Sequence, residues 1–374
     1  MKNFTKITLI FLLMYTFSSC NHNNTDYYKT ETHIDSIIGT ASIPMIQLAY
    51  THNNKTQLFE ATHDQFAPPA APGQSVFQAA SLSKTIFAYI VLKMAEKGQI
   101  DLDKPLSNYL EPHRIDHSQK DWANALTAKI VLSHRSGLPN WSISPSSDLW
   151  PDSKLKFRFK PDSTFSYSGE AYFYLQQVIE KISNKPLEQL AREIVFIPLG
   201  MNSTSYQWGR QDIPSLDYDS IAVDGFDNDG VNQGKGRHPR ANCAYTLRTT
   251  ASDYSKFLCD LFGQDSKNGY VYNQLLKPTT TAQRYPQQKR MCDNNIHWGL
   301  GIGIEENEQL GRIYFHWGDN GSFKALFIVV PSQNKHFVYF TNSARGHSII
   351  DNITPLFFDN TKPLALSAWI NEPV

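Results

Sequence analysis

The sequence predicts an α/β fold of the α+β kind: an antiparallel sheet flanked by helices, joined to a mostly helical second domain. Two observations carry this expectation. Strand-like patterns are confined to the two ends of the chain, around residues 43–61 and 300–341, and the stretch between them reads as helices and long loops. The run from Thr85 to Glu96 is apolar on nearly every side, with Ala88, Val91, Leu92 and Ala95 on one stripe and Ile86 and Ile90 on other faces. A helix of that kind is buried in a core. Strands at opposite ends of a chain pair most economically in one sheet, so residues 41–100 and 296–374 are assigned to a sheet domain and 101–295 to a helical one.

Along the chain, each element has its own warrant. Lys2 and Lys6 precede an apolar run, Ile7 to Phe17, too short to span a bilayer comfortably, so residues 1–19 read as a signal peptide. Phe17-Ser18-Ser19-Cys20 resembles a bacterial lipobox, in which the chain is cut before Cys20 and Cys20 carries the lipid; the other reading is a plain secretory signal with Cys20 incidental. Residues 20–40 are then a lipidated N-terminus and tether, opening on the polar run Asn21 to Asp26. The expected location is the bacterial cell envelope, with the membrane reached through the lipid anchor.

Met45 to Tyr50 and Thr56 to Glu60 flank a His52-Asn53-Asn54-Lys55 turn and form a hairpin. After a Pro/Ala loop comes the Ser81 helix, closed by Gly98. Ala171, Leu175, Val178, Ile179 and Ile182 share one helical stripe, Leu187 to Val195 makes another helix, and Asp253 to Phe262 a third, with Thr250 and Asp253 at capping spacing. Strand character resumes at Leu300, Ile302 and Ile304, and continues in Arg312 to His316, Ala325 to Val330 and Phe337 to Thr341. Ile349 to Phe358 is a closing helix in spite of Pro355.

The 374 residues carry no net charge, 13% are aromatic and 19% charged, which describes an ordinary globular chain rather than a disordered one. No basic stretch suits nucleic acid. Cys243, Cys259 and Cys292 follow Cys20; an exported chain could bridge two of them, and Cys243–Cys292 is the candidate pair, with Cys259 a buried thiol. Their spacing suggests no metal site, and no cofactor is expected.

The chemistry concentrates at Ser81-Leu82-Ser83-Lys84. Hydroxyl and amine three residues apart at a helix start share a face. Serine needs an adjacent base to act as a nucleophile. A lysine in the first turn of a buried helix is costly unless used, and desolvation lowers its proton affinity, which makes it such a base.

With other segments in order, the chain resembles the serine β-lactamase and penicillin-binding-protein superfamily, in its class C-like branch of peptidases, esterases and lactamases. Ser81 to Lys84 matches its Ser-x-x-Lys; Val131 to Pro139 is similar to "LLSHTSGLP"; Tyr167-Ser168-Gly169 stands where the family carries Tyr-x-Asn. Pro198 to Met201 with Thr204 resembles "PLGM..T", Thr249 to Asp253 resembles "STA.D", and His316-Trp317-Gly318 takes the place of Lys-Thr-Gly. The resemblance implies a β-lactamase/transpeptidase-like fold. Ser81 is then the acylated nucleophile, Lys84 its proton acceptor, and Tyr167 the relay to the leaving group or to water. His316 lines the cleft, protonated or as a hydrogen-bonding group. The N–H groups of Ser81 and of Asp319, after Gly318, form the oxyanion hole, and Asp319, Asn320 and Trp317 are candidates for selecting substrate. His134 is read as structural.

Two departures matter. Gly169 lacks the amide that would contact a substrate amide, and His316 replaces a permanently charged lysine. Both disfavour an efficient β-lactamase and suit an esterase, an amidase or a peptidase on another substrate. The expected partner is a small-molecule or peptide substrate, with peptidoglycan-derived peptides among the candidates. The alternative is a non-catalytic lipoprotein of the same fold that binds peptidoglycan or another ligand.

Overall fold

The computed structural model describes residues 21–63, 66–208, 217–238, 240–285 and 288–371. The signal segment 1–19 and Cys20 lie outside the described residues. Eight strands, numbered here in chain order, form one sheet: β1 (Met45–His52), β2 (Lys55–Thr62), β3 (Thr280–Thr281), β4 (Ile296–Trp298), β5 (Gly303–Asn307), β6 (Gly311–Asp319), β7 (Lys324–Val330) and β8 (Lys335–Thr341). Their spatial order is β2-β1-β8-β7-β6-β5-β4-β3, antiparallel throughout. The N-terminal hairpin therefore joins the C-terminal meander through β1 and β8, with Leu48 opposite Tyr339. The hairpin turns on Asn53 and Asn54, both left-handed (φ 50° and 62°), which suits the twist of a two-residue turn.

Strand alternation divides the core into two layers. Phe315, Leu326, Ile328, Phe337 and Tyr339 point to a cluster completed by helices α1 (Asn21–Ala41), near the C-terminal end Ile350–Phe357, and Ala365–Asn371. Tyr314, Ala325, Phe327, Val338 and Phe340 point the other way, into a cluster shared with α2 (Ser83–Glu96), α3 (Gly169–Ser183) and α4 (Ala251–Phe262). The second cluster runs without a break from the sheet into the helical region, through Leu132, Leu175, Val178 and Leu190. Two pieces of the segment 101–295 belong to the sheet layer: β3, and α4, which packs on β1 and β8.

The element readings recur with small shifts. Gly98 takes φ +69° after α2, and its N–H and that of Gln99 cap Ala95 and Met94. Thr250 caps α4 by accepting from the Asp253 N–H. The closing helix, Ile350–Phe357, tolerates Pro355 near its end.

Three expectations are corrected. Residues 21–40 are not a tether: they form most of α1, whose Ile34 and Ile38 are wholly buried under the sheet. The polar first half conceals a short stripe at spacing four that suffices to dock the helix. Nor is there a Cys243–Cys292 bridge. The Cys243 thiol is buried on the α2 side, 3.2 Å from the Tyr172 carbonyl, whereas Cys292 packs against the opposite layer. Cys259 is half-buried rather than enclosed.

Candidate active site

Ser81 sits on a single 3-10 turn, Ala80–Leu82, that runs directly into α2. Phe77-Gln78 pairs with Arg248-Thr249, and the Ala79 N–H donates to the Leu247 carbonyl. Ala80 then adopts φ +47°, a left-handed conformation that costs an L-residue roughly 1–2 kcal/mol. The surroundings impose it. Ser83 Oγ donates to the Ala80 carbonyl and accepts from the Leu247 N–H. Tyr254 and Tyr206 hydroxyls donate to the carbonyls of Leu82 and Ser83 at 3.0 and 2.7 Å. The second serine of the motif is thus a fixing pin, while Ser81 itself stays partly exposed.

Lys84 is 1% exposed. Its Nζ lies 2.7 Å from the Ala244 carbonyl and 3.1 Å from Ser81 Oγ, within reach for proton transfer. Burial lowers its pKa from 10.5 to about 7, with Cys243 acting weakly the other way. A substantial neutral fraction therefore exists near neutrality.

Tyr167 is placed by the start of α3. Ser168 caps the helix by accepting from the Ala171 N–H at 3.0 Å, and its own N–H donates to His134 Nδ1 at 3.1 Å. The Tyr167 ring lies between the rings of His134 (4.1 Å between centroids) and Trp317 (4.9 Å), with Lys84 Nζ 4.8 Å from its centroid. Part of the ring reaches solvent, but the hydroxyl is buried with the Ser81 hydroxyl beside it. Burial raises its pKa; the neighbouring Ser81 hydroxyl and the Arg284 charge oppose the rise. Tyr167 is therefore a phenol at neutral pH, a donor rather than a base.

His316 stands on β6 with its ring near those of Trp298 (5.3 Å between centroids) and Tyr167 (6.3 Å). Its Nδ1 lies 2.7 Å from the Trp317 carbonyl, and only an N–H can approach a carbonyl oxygen so closely, so the buried, unpartnered Nε2 is an acceptor. Burial, then the Lys84 charge, depress its pKa to about 3. Of the two expected states, protonated or hydrogen-bonding, burial favours the neutral, hydrogen-bonding imidazole near neutral pH.

Gly318 lets β6 run against the nucleophile turn. A Cβ there would meet the Ala79 carbonyl oxygen at 2.5 Å and the Ala80 Cβ at 3.1 Å. That approach brings β6 against the turn that carries Ser81. The Asp319 carboxylate pairs with Lys324, which together with its other contacts holds its pKa below the usual range. Trp317 does not face the cleft but backs Tyr167, with Arg284 over its ring at 5.1 Å.

Ser81, Lys84, Tyr167, His316 and Gly318 thus converge, and Asp319 lies at the edge of the group. His134, read as structural, stands inside it at φ +55° with a pKa pushed well below the ordinary value by burial. Its backbone is a loop start in sequence, and only the stacking on Tyr167 reveals its position. Beside the group opens a cleft of about 300 Å³ lined by Gln78, Trp141, His238, Tyr245, Asp319 and Phe323, with Asn320 among them. Trp141, His238 and Tyr245 carry no motif that sequence reading could use.

Residues 30–353 match the sequence model of the family described as Beta-lactamase. "Penicillin-binding protein 4*" of Bacillus subtilis is 23% identical over 303 residues, 72% of this chain and 61% of that protein. The "D-alanyl-D-alanine-carboxypeptidase/endopeptidase AmpH" of Escherichia coli is 28% identical over 144 residues, 35% of this chain and 37% of that protein. The aligned regions thus span less than two thirds of the length of these relatives. Among solved structures, a class C beta-lactamase superposes with a TM-score of 0.73 at 15% identity, covering 92% of this chain and 99% of the other.

Proposed function

This chain belongs to the Beta-lactamase family of serine hydrolases, and we propose that it cleaves an ester or amide through an acyl-enzyme on Ser81. The observation that carries the reading is the buried Lys84 amine, its pKa near 7, held 3.1 Å from the Ser81 hydroxyl. In acylation, neutral Lys84 takes the Ser81 proton as Oγ bonds to the substrate carbonyl carbon. The resulting oxyanion is received by the N–H groups of Ser81 and Asp319. The Tyr167 phenol donates to the leaving group as the scissile bond breaks, and Lys84 returns a proton to it. In deacylation, water attacks the ester carbonyl as neutral Lys84 takes its proton, and Lys84 gives that proton to Ser81 Oγ as it leaves.

The neutral His316 and the bare Gly169 argue for a substrate other than an ordinary β-lactam, since neither a fixed cation nor a side-chain amide stands at those positions. Among the described residues no helix is long and apolar enough to cross a membrane. Anchoring in the envelope is proposed from the leader and Cys20 alone, and cell-wall peptides are then within reach as substrates. Intact-mass spectrometry after incubation with D-Ala-D-Ala peptides, esters and lactams tests the reaction: an acyl adduct on wild type and none on Ser81→Ala is expected. Equal adducts on both would sink the assignment. For anchoring, Cys20→Ser should move the chain from the detergent phase to the aqueous phase.

A further inference from the structure

The cleft that shares Asp319 with the site has a wall that the chemistry above does not use. A Cβ on Gly169 would lie 2.4 Å from Trp141 Cζ2 and 2.5 Å from its Cη2, so the indole occupies the space a side chain at 169 would need. Trp141 is fixed on both flanks. Asn140 accepts from the N–H groups of Gly169 and Glu170, and the Ser142 N–H donates to Glu170 Oε1 at 2.9 Å. Glu170, wholly buried, also accepts from Trp150 Nε1 at 2.9 Å and pairs with Arg114 at 2.7 Å. Trp150 and Tyr245 both pack edge-on against Trp141, with centroids 5.8 and 5.5 Å away. This is a rigid aromatic wall, not a lid.

The amides across the cleft are already engaged. Asn320 Nδ2 donates to Gln78 Oε1 at 2.6 Å and to the Tyr245 carbonyl, and Gln78 Nε2 donates to the Lys235 carbonyl. They are poorly placed to read a substrate amide. The proton-handling side of the site lies elsewhere, at Tyr167 backed by Trp317 and Arg284, and the leaving group belongs there. The Trp141 cleft is left for the acyl group.

Resting on the Ser81 acyl-enzyme reading, we propose that Trp141 determines specificity, by presenting a flat apolar wall that selects substrates with an aromatic or similarly flat acyl group. Stacking of an aromatic group on such a ring contributes about 0.5–1.5 kcal/mol beyond area burial, up to roughly tenfold in preference. The test compares p-nitrophenyl esters of 3-phenylpropionic and acetic acid, by kcat/KM and by intact mass of acylated Ser81. Wild type should favour phenylpropionate. Trp141→Ala should lower that preference roughly tenfold, mainly through KM, and Trp141→Phe should retain most of it. Trp141→Leu replaces the alanine variant if a cooperative melt shows that the latter does not fold. Gly169→Ala should depress the preference in the wild-type background but add nothing to Trp141→Ala, because the two positions share one space. If both esters acylate Ser81 and the preference is the same with and without Trp141, its role is overturned and the acyl-enzyme reading stands. If neither ester ever appears on Ser81, the acyl-enzyme reading fails and the role of Trp141 falls with it.

Discussion

Lys84 concentrates the conflict between stability and chemistry in this molecule. A buried ammonium loses its hydration, and among the described residues Lys84 Nζ bonds to the Ala244 carbonyl and the Ser81 hydroxyl. Its pKa falls from 10.5 to about 7. Between those values the unfolded chain holds a proton that the folded chain lacks, so this group's contribution to stability rises with pH across that window. Lys84→Met, of similar shape and uncharged, should therefore melt at a higher temperature than wild type at pH 6, and the gap should close toward pH 10.5. The same variant should lose acylation by about 10²–10⁴-fold, the usual worth of a positioned base. Acylation by wild type should rise through about pH 7 as Lys84 loses its proton. His316, with its pKa near 3, should add no inflection between there and neutrality. A pH–rate profile for single-turnover acylation checks both statements. An inflection that disappears in His316→Gln would contradict the second.

At the scale of elements, the site depends on how closely β6 approaches the turn before α2. Gly318→Ala would press its methyl on the Ala79 carbonyl and Ala80 Cβ. Because Ala79 is held by Leu247 and Ala80 by Ser83, the strand must move, taking the Asp319 N–H with it. Loss of one oxyanion donor costs about 10²–10³ in kcat, and that is the expected deficit, with little change in substrate KM. The loop from Asn140 to Ser153 depends in the same way on Glu170. Glu170→Ala removes the acceptor of Trp150, Ser142 and Arg114 together. Breaking such a buried pair costs about 3–5 kcal/mol, so a large drop in the denaturant midpoint is expected.

Across the whole molecule, the first helix is part of the sheet's cover. Ile34 and Ile38 are buried among Ile46, Phe59 and Phe357. Removal of residues 21–41 should therefore destabilise the fold, and Ile38→Ala alone should cost about 2–5 kcal/mol. A tether would be deleted without effect, so a chemical-denaturation comparison separates the two. The sequence made the sheet legible because β6, β7 and β8 alternate two apolar faces over long runs, and α2 because it is apolar on all sides. It concealed α1, where two isoleucines stand in a polar stretch. It also concealed β3, two threonines whose strand state exists only because β4 lies beside them.

The sequence by itself determined the candidate nucleophile and base. Ser81 and Lys84 are three residues apart, so helix geometry alone puts them together, and Tyr167 and His316 followed from the order of short motifs. What only the tertiary structure decided is the state and the selectivity of that site. That His316 favours its neutral form depends on burial and on the charge of Lys84 from another element. That Gly169 leaves no empty space depends on Trp141, 28 residues earlier in the chain and held there by Glu170. Charge state and cavity shape arise from groups brought together across long sequence separations, and no local pattern encodes which groups those will be.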